Sequence, residues 1–109
     1  MDWIEAKQKT LDLWQGIRTD IGTASPLDLL VGINRVCALC ERAAELSPGK
    51  LDHCPYCIFY QQFGSCRDVS LEMSECVARH DWDSLRSLVD NFIAKVEKLQ
   101  EPELEVPAL

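Results

Sequence analysis

Five of the six cysteines fall between Cys37 and Cys66, in the stretch CALCERAAELSPGKLDHCPYCIFYQQFGSC. They form two Cys-x-x-Cys pairs, Cys37/Cys40 and Cys54/Cys57, with thirteen residues between the pairs, followed by Cys66. This spacing is close to that of four-thiolate zinc sites, in which two short pairs deliver their sulfurs to one tetrahedral ion. Cys37, Cys40, Cys54 and Cys57 are therefore the expected metal ligands. Cys66 is a possible substitute, with Cys54 or Cys37 the members it would replace. Four thiolates leave no coordination position for water or substrate, so the expected zinc is structural and no catalysis goes with it. An iron–sulfur cluster is the alternative cofactor, because cysteine-only ligation with spare cysteines suits a cluster as well. His53 and His80 are weaker nitrogen candidates, each an isolated histidine beside a turn. Cys76 is expected in the core.

The second pair also bears on redox chemistry. Cys54-Pro55-Tyr56-Cys57 resembles the active-site tetrapeptide of glutaredoxins, over these four residues alone. The resemblance implies a dithiol oxidoreductase with Cys54 as nucleophile and Cys57 as resolving thiol. Glutaredoxins set that motif directly after a β-strand, and no segment here has the period-two alternation of a strand. The plainest expectation is that the cysteines only fill space, since buried cysteine behaves as a small hydrophobe; two closely spaced pairs flanking one turn weigh against it.

Helices must position these thiols. Residues 2 to 21 place Trp3, Ile4, Leu11, Trp14, Ile17 and Ile21 on one stripe, with Lys7 and Arg18 at its edge. A second helix is expected over 26 to 46, capped by Ser25 with Pro26 at its first position. On its apolar face Leu29, Leu30, Ile33, Val36, Cys37, Cys40 and Ala44 fall together, so both cysteines point inward at i and i+3. Ser47-Pro48-Gly49 ends it. The six helical residues after Cys40 rise about 9 Å, and four extended residues from Lys50 recover that distance, which brings Cys54 level with Cys40.

A short helix is expected to open at Cys54, where the helix dipole would lower its thiol pKa, and to end at Gly64. Ser70 is the expected cap of a helix through about His80. Asp81 is the expected cap of a last helix, whose stripe runs from Trp82 through Leu85, Val89, Phe92 and Val96 to Leu99. The fold class is thus all-α: an antiparallel bundle of three long and two short helices over 1–100, one domain, with the Cys-rich turn across one end. Residues 101–109 form an extended or frayed tail.

Composition narrows the partners. A formal charge of −7 and a pI near 4.7 repel phosphate backbones, and the eleven basic residues are scattered, so nucleic acid is not expected. There is no run of apolar residues long enough to span a membrane, and the N-terminus lacks a basic region followed by an apolar one, so a cytoplasmic protein is expected. There its cysteines are held as thiols rather than disulfides. No nucleophile triad, phosphate-binding glycine loop or HExxH helix is present. The expected role is that of an interaction or regulatory protein whose partner is another protein.

Overall fold

Side-chain caps start three helices. In the computed structural model, which describes residues 1–35 and 37–101, the Asp2 carboxylate accepts from the Glu5 amide at 2.7 Å and begins α1, Trp3–Asp20. Ser25 accepts from the Asp28 amide at 3.2 Å and begins α2, Pro26–Ile33, with the proline at its first turn where no donor is missed. Asp81 accepts from the Ser84 amide at 3.2 Å and begins α6, Trp82–Glu97. All regular structure among the described residues is helical, and the elements between are α3 (Ala38–Leu46), a 3-10 turn (Cys54–Tyr56), α4 (Ile58–Phe63) and α5 (Arg67–Ala78).

The expected long helix over 26 to 46 is broken, and with it the count of three long and two short helices. Asn34 ends α2: its side-chain amide donates to the Leu30 carbonyl at 2.8 Å and its backbone N–H reaches the same carbonyl at 3.1 Å. A short polar amide competing for backbone partners favours termination over propagation. Cys37 then takes an extended conformation, φ −88° and ψ 162°, and stands at the cap of α3 instead of mid-helix. Val36, assigned above to the apolar face, lies outside the described residues, as does the tail from 102 onward.

Two further starts differ from expectation. The helix expected to open at Cys54 is a single 3-10 turn closed by the Cys57 amide on the Cys54 carbonyl at 3.0 Å. Extended backbone at Cys57, φ −91° and ψ 130°, separates that turn from α4. α5 begins at Arg67 rather than after Ser70, with Cys66 in the cap position and the Ser65 hydroxyl accepting from the Arg67 amide at 3.2 Å.

α1 packs on α6 and α3, α6 on α5, and α5 on α2. Trp3, Trp14, Ile17 and Ile21 are buried as their stripe demands, and Ala6 and Thr10 join them; Ile4 is 68% exposed, because its side falls outside the arc that α3 and α6 cover. Lys7 and Arg18 keep stems near the core while their charges find partners in the middle of α6 and in the chain just beyond its end. Lys7 Nζ donates to the Leu99 carbonyl at 3.0 Å and meets Glu101 at 3.3 Å, and Arg18 Nε meets Asp90 at 2.7 Å. A run of tilted rings joins three helices, Trp14 to Phe92 at 4.8 Å between centroids and Phe92 to Phe59 at 4.9 Å. The Gln62 side chain exchanges two hydrogen bonds with the backbone of Gln100, at 2.9 and 3.1 Å, tying α4 to the chain leaving α6. No helix among the described residues is long and apolar enough to cross a membrane.

Candidate functional site

Three cysteines occupy three helix caps: Cys37 before α3, Cys57 before α4 and Cys66 before α5. Cys40 lies in the first turn of α3, and Cys54 opens the 3-10 turn. None of the three capping thiols makes a standard hydrogen bond to the free amides beside it, as serine or aspartate would. The amides nevertheless present positive ends toward the sulfurs. Two glycines with left-handed backbone return the chain for this purpose. Gly49 (φ 79°) reverses it between the first pair and the second, and Gly64 (φ 88°, ψ −168°) ends α4 so that Cys66 comes back two residues later.

These five of the six cysteines line one small void of about 20 Å³, the size of a single water or ion. Leu39, Phe59 and Phe92, all buried, supply apolar wall around it. The same five cysteines also border an open groove of about 400 Å³, together with His53 and Arg67. The Sγ atoms of Cys37 and Cys40 are 3.9 Å apart. Cys37 and Cys40 are in sulfur contact, and each remaining pairing among Cys37, Cys40, Cys57 and Cys66 is close enough for the charge of one sulfur to raise the other. Cys54 interacts with Cys66 at the edge of this group, beside Asp52 and Arg67.

Electrostatics differentiates the thiols. Cys37 is lowered from the ordinary thiol value to about 6, chiefly by the Cys40 thiol beside it and further by the amides of Cys40 and Leu39 and the Thr10 hydroxyl, against the opposing cost of burial. Cys40 is pushed up, chiefly by its hydrogen bond with Cys37, then by burial and by the charges of Cys37, Cys57 and Cys66. Burial raises Cys57 and Cys66. Cys54 is raised as well, by burial and then by the carboxylate of Asp52, which accepts from the Cys54 amide at 3.1 Å. The expected lowering of the Cys54 thiol by a helix dipole is thus reversed: one 3-10 turn has little dipole to offer, and an acid stands next to it. The lowered thiol belongs to the other pair.

His53 lies half-buried on the groove, and its Nδ1 is 2.8 Å from the Ser47 hydroxyl. That hydroxyl spends its one proton on the Ala43 carbonyl at 2.6 Å, so the imidazole Nδ1–H is the donor to Ser47. His80 lines neither the void nor the groove: it forms the exposed turn between α5 and α6 at φ 56°, with its ring 5.4 Å from that of Trp82. Cys76 is buried in α5, in the core as expected.

The structure therefore brings all four expected ligands and Cys66 to the lining of one void, and leaves His80 and Cys76 off it. Among the described residues, no three histidine, cysteine, aspartate or glutamate side chains are placed so that they could hold a metal ion. Sequence reading missed the cap positions of Cys37 and Cys66 and the clasp of Ser47 on His53. Gly64, two residues before Cys66, was the signal for the returning cap. No family model, curated protein or solved structure matches the chain.

Proposed function

We propose that the chain is a small structural zinc protein, in which Cys37, Cys40, Cys57 and Cys66 hold the ion and Cys54 is the fifth, peripheral thiol. The observation that carries this reading is the convergence of thiols from three helix caps on one ion-sized void with apolar walls. At a Zn–S length near 2.3 Å, neighbouring sulfurs of a tetrahedral site are about 3.8 Å apart, and Cys37 and Cys40 already stand at 3.9 Å. With four thiolates around it, the zinc stabilises the fold and does no chemistry of its own.

The helices around it read as a mostly antiparallel bundle in one domain, acting in the cytoplasm by binding another protein. Purification under reducing conditions without added metal, followed by elemental analysis, tests the reading: one zinc per chain and a melting temperature that falls on chelation are expected. Bound iron with a brown colour would transfer the same ligands to an iron–sulfur cluster. A chain carrying neither metal and melting identically with a strong chelator would end the metal reading and return the cysteines to core packing.

A further inference from the structure

We propose that Cys37 and Cys40, rather than the glutaredoxin-like pair Cys54 and Cys57, form a reversible disulfide by exchange with a small dialkyl disulfide. Their sulfurs at 3.9 Å need to close by roughly 1.9 Å to reach the bonded distance of about 2.05 Å. Cys37 is at the extended cap of α3 and Cys40 is three residues on in its first turn, so the two side chains overlie one another and rotation alone can join them. Both are half-buried and both border the open groove of about 400 Å³, which gives a small disulfide a path to them. In the other pair Cys57 lines the same groove at 7% exposure, and the thiol–thiol contact that joins Cys37 to Cys40 has no counterpart between Cys54 and Cys57.

The exchange balances without a further reagent. One cysteine sulfur, as thiolate, attacks the S–S bond of the small disulfide; that bond breaks and one small thiolate leaves, taking up a proton. The second cysteine loses its proton and attacks the mixed disulfide, the protein S–S bond forms, and the second small thiol departs. Two electrons and two protons pass from the cysteine pair to the oxidant. The inference does not rest on the zinc reading, since it concerns the metal-free chain; a bound ion would occupy the same two sulfurs and suppress the exchange.

Trypsin separates the two pairs, releasing residues 36–42 (VCALCER) with the first and 51–67 with the second. Reduced protein held in a chelator is incubated with oxidised glutathione, blocked with a maleimide, digested and weighed. The expected result is peptide 36–42 without maleimide and lighter by two hydrogens, with Cys54 and Cys57 still labelled, and recovery of both labels on Cys37 and Cys40 after a reductant. Peptide 36–42 carrying two labels while Cys54 and Cys57 are joined would overturn the proposal, as would a stable glutathione adduct on Cys37 or Cys40 that never resolves. A Cys40→Ser chain is expected to stop at the mixed disulfide on Cys37; a resolved product in that variant would show a different partner and overturn the assignment. The unsubstituted protein decides the matter by itself if that variant does not fold.

Discussion

The Ser47 hydroxyl stands 2.8 Å from Nδ1 of His53 while donating to the Ala43 carbonyl at 2.6 Å, and so clasps the loop before Cys54 to the end of α3. Ser47 is buried at 3% exposure, so replacing it with alanine removes two hydrogen bonds at once. A loss of about 1 to 2 kcal/mol is expected for Ser47→Ala. Urea unfolding measures it, and an unchanged midpoint would mean that the clasp contributes nothing.

Membership of the metal site is read by serine scanning. Cys37→Ser, Cys40→Ser, Cys57→Ser and Cys66→Ser are each expected to lose zinc and the response of the melting temperature to chelator. Cys54→Ser is expected to keep both, because that sulfur lies at the edge of the group. Cys76→Ser should keep the metal and lose about 1–3 kcal/mol as a buried polar defect. Loss of zinc from the Cys54 variant with retention in the Cys66 variant would restore the ligand set that the sequence spacing suggests.

The thiols should titrate apart in the metal-free protein. Cys37, lowered to about 6, is expected to alkylate with a half-maximal rate near pH 6, whereas Cys54, raised by burial and Asp52, stays slow until the pH exceeds the ordinary thiol range. The sign for stability follows. A thiolate favoured by the fold contributes stability that is complete above the unfolded value near 9.0 and is lost as the pH falls through about 6. The raised Cys40 acts oppositely: its contribution is present below the unfolded value and is lost as the pH rises through its folded value. The chelated, reduced chain should therefore gain stability from Cys37 between pH 6 and 9 and lose it from Cys40 beyond, a profile that equilibrium unfolding at several pH values measures. Equal alkylation profiles for Cys37 and Cys54 would contradict the assignment of the lowered thiol.

Two glycines make opposite predictions. Gly64, at φ 88° and ψ −168°, occupies a region that side chains scarcely tolerate, so Gly64→Ala should cost about 1–3 kcal/mol and weaken zinc binding by displacing Cys66. Gly16 is exposed within α1, and a Cβ there meets nothing within 4 Å. Gly16→Ala should raise stability by about 0.5–1 kcal/mol through helix propensity. Thermal melts of the two variants test the pair, and a stabilised Gly64→Ala chain would refute the argument for the returning cap.

Local signals in the sequence determined the helical class, the starts at Ser25 and Asp81, the burial of Trp3, Trp14 and the α6 stripe, and the concentration of thiols between Cys37 and Cys66. Each of these is encoded within a few residues: a cap beside its amides, an apolar repeat of helical period, a pair at i and i+3. Only the tertiary structure decided that 26 to 46 breaks at Asn34, that Cys37, Cys57 and Cys66 take caps, and that the lowered thiol is Cys37 rather than Cys54. Asn34 acts on Leu30 and Cys40 on Cys37 within a single turn, and groups distant in sequence add to these local effects. Thr10 on α1 lowers Cys37, and the Cys37 thiolate in turn raises Cys57 and Cys66. A helix break and a thiol's acidity are differences of a few kcal/mol between alternatives, and packing against another helix outweighs local preference at that scale.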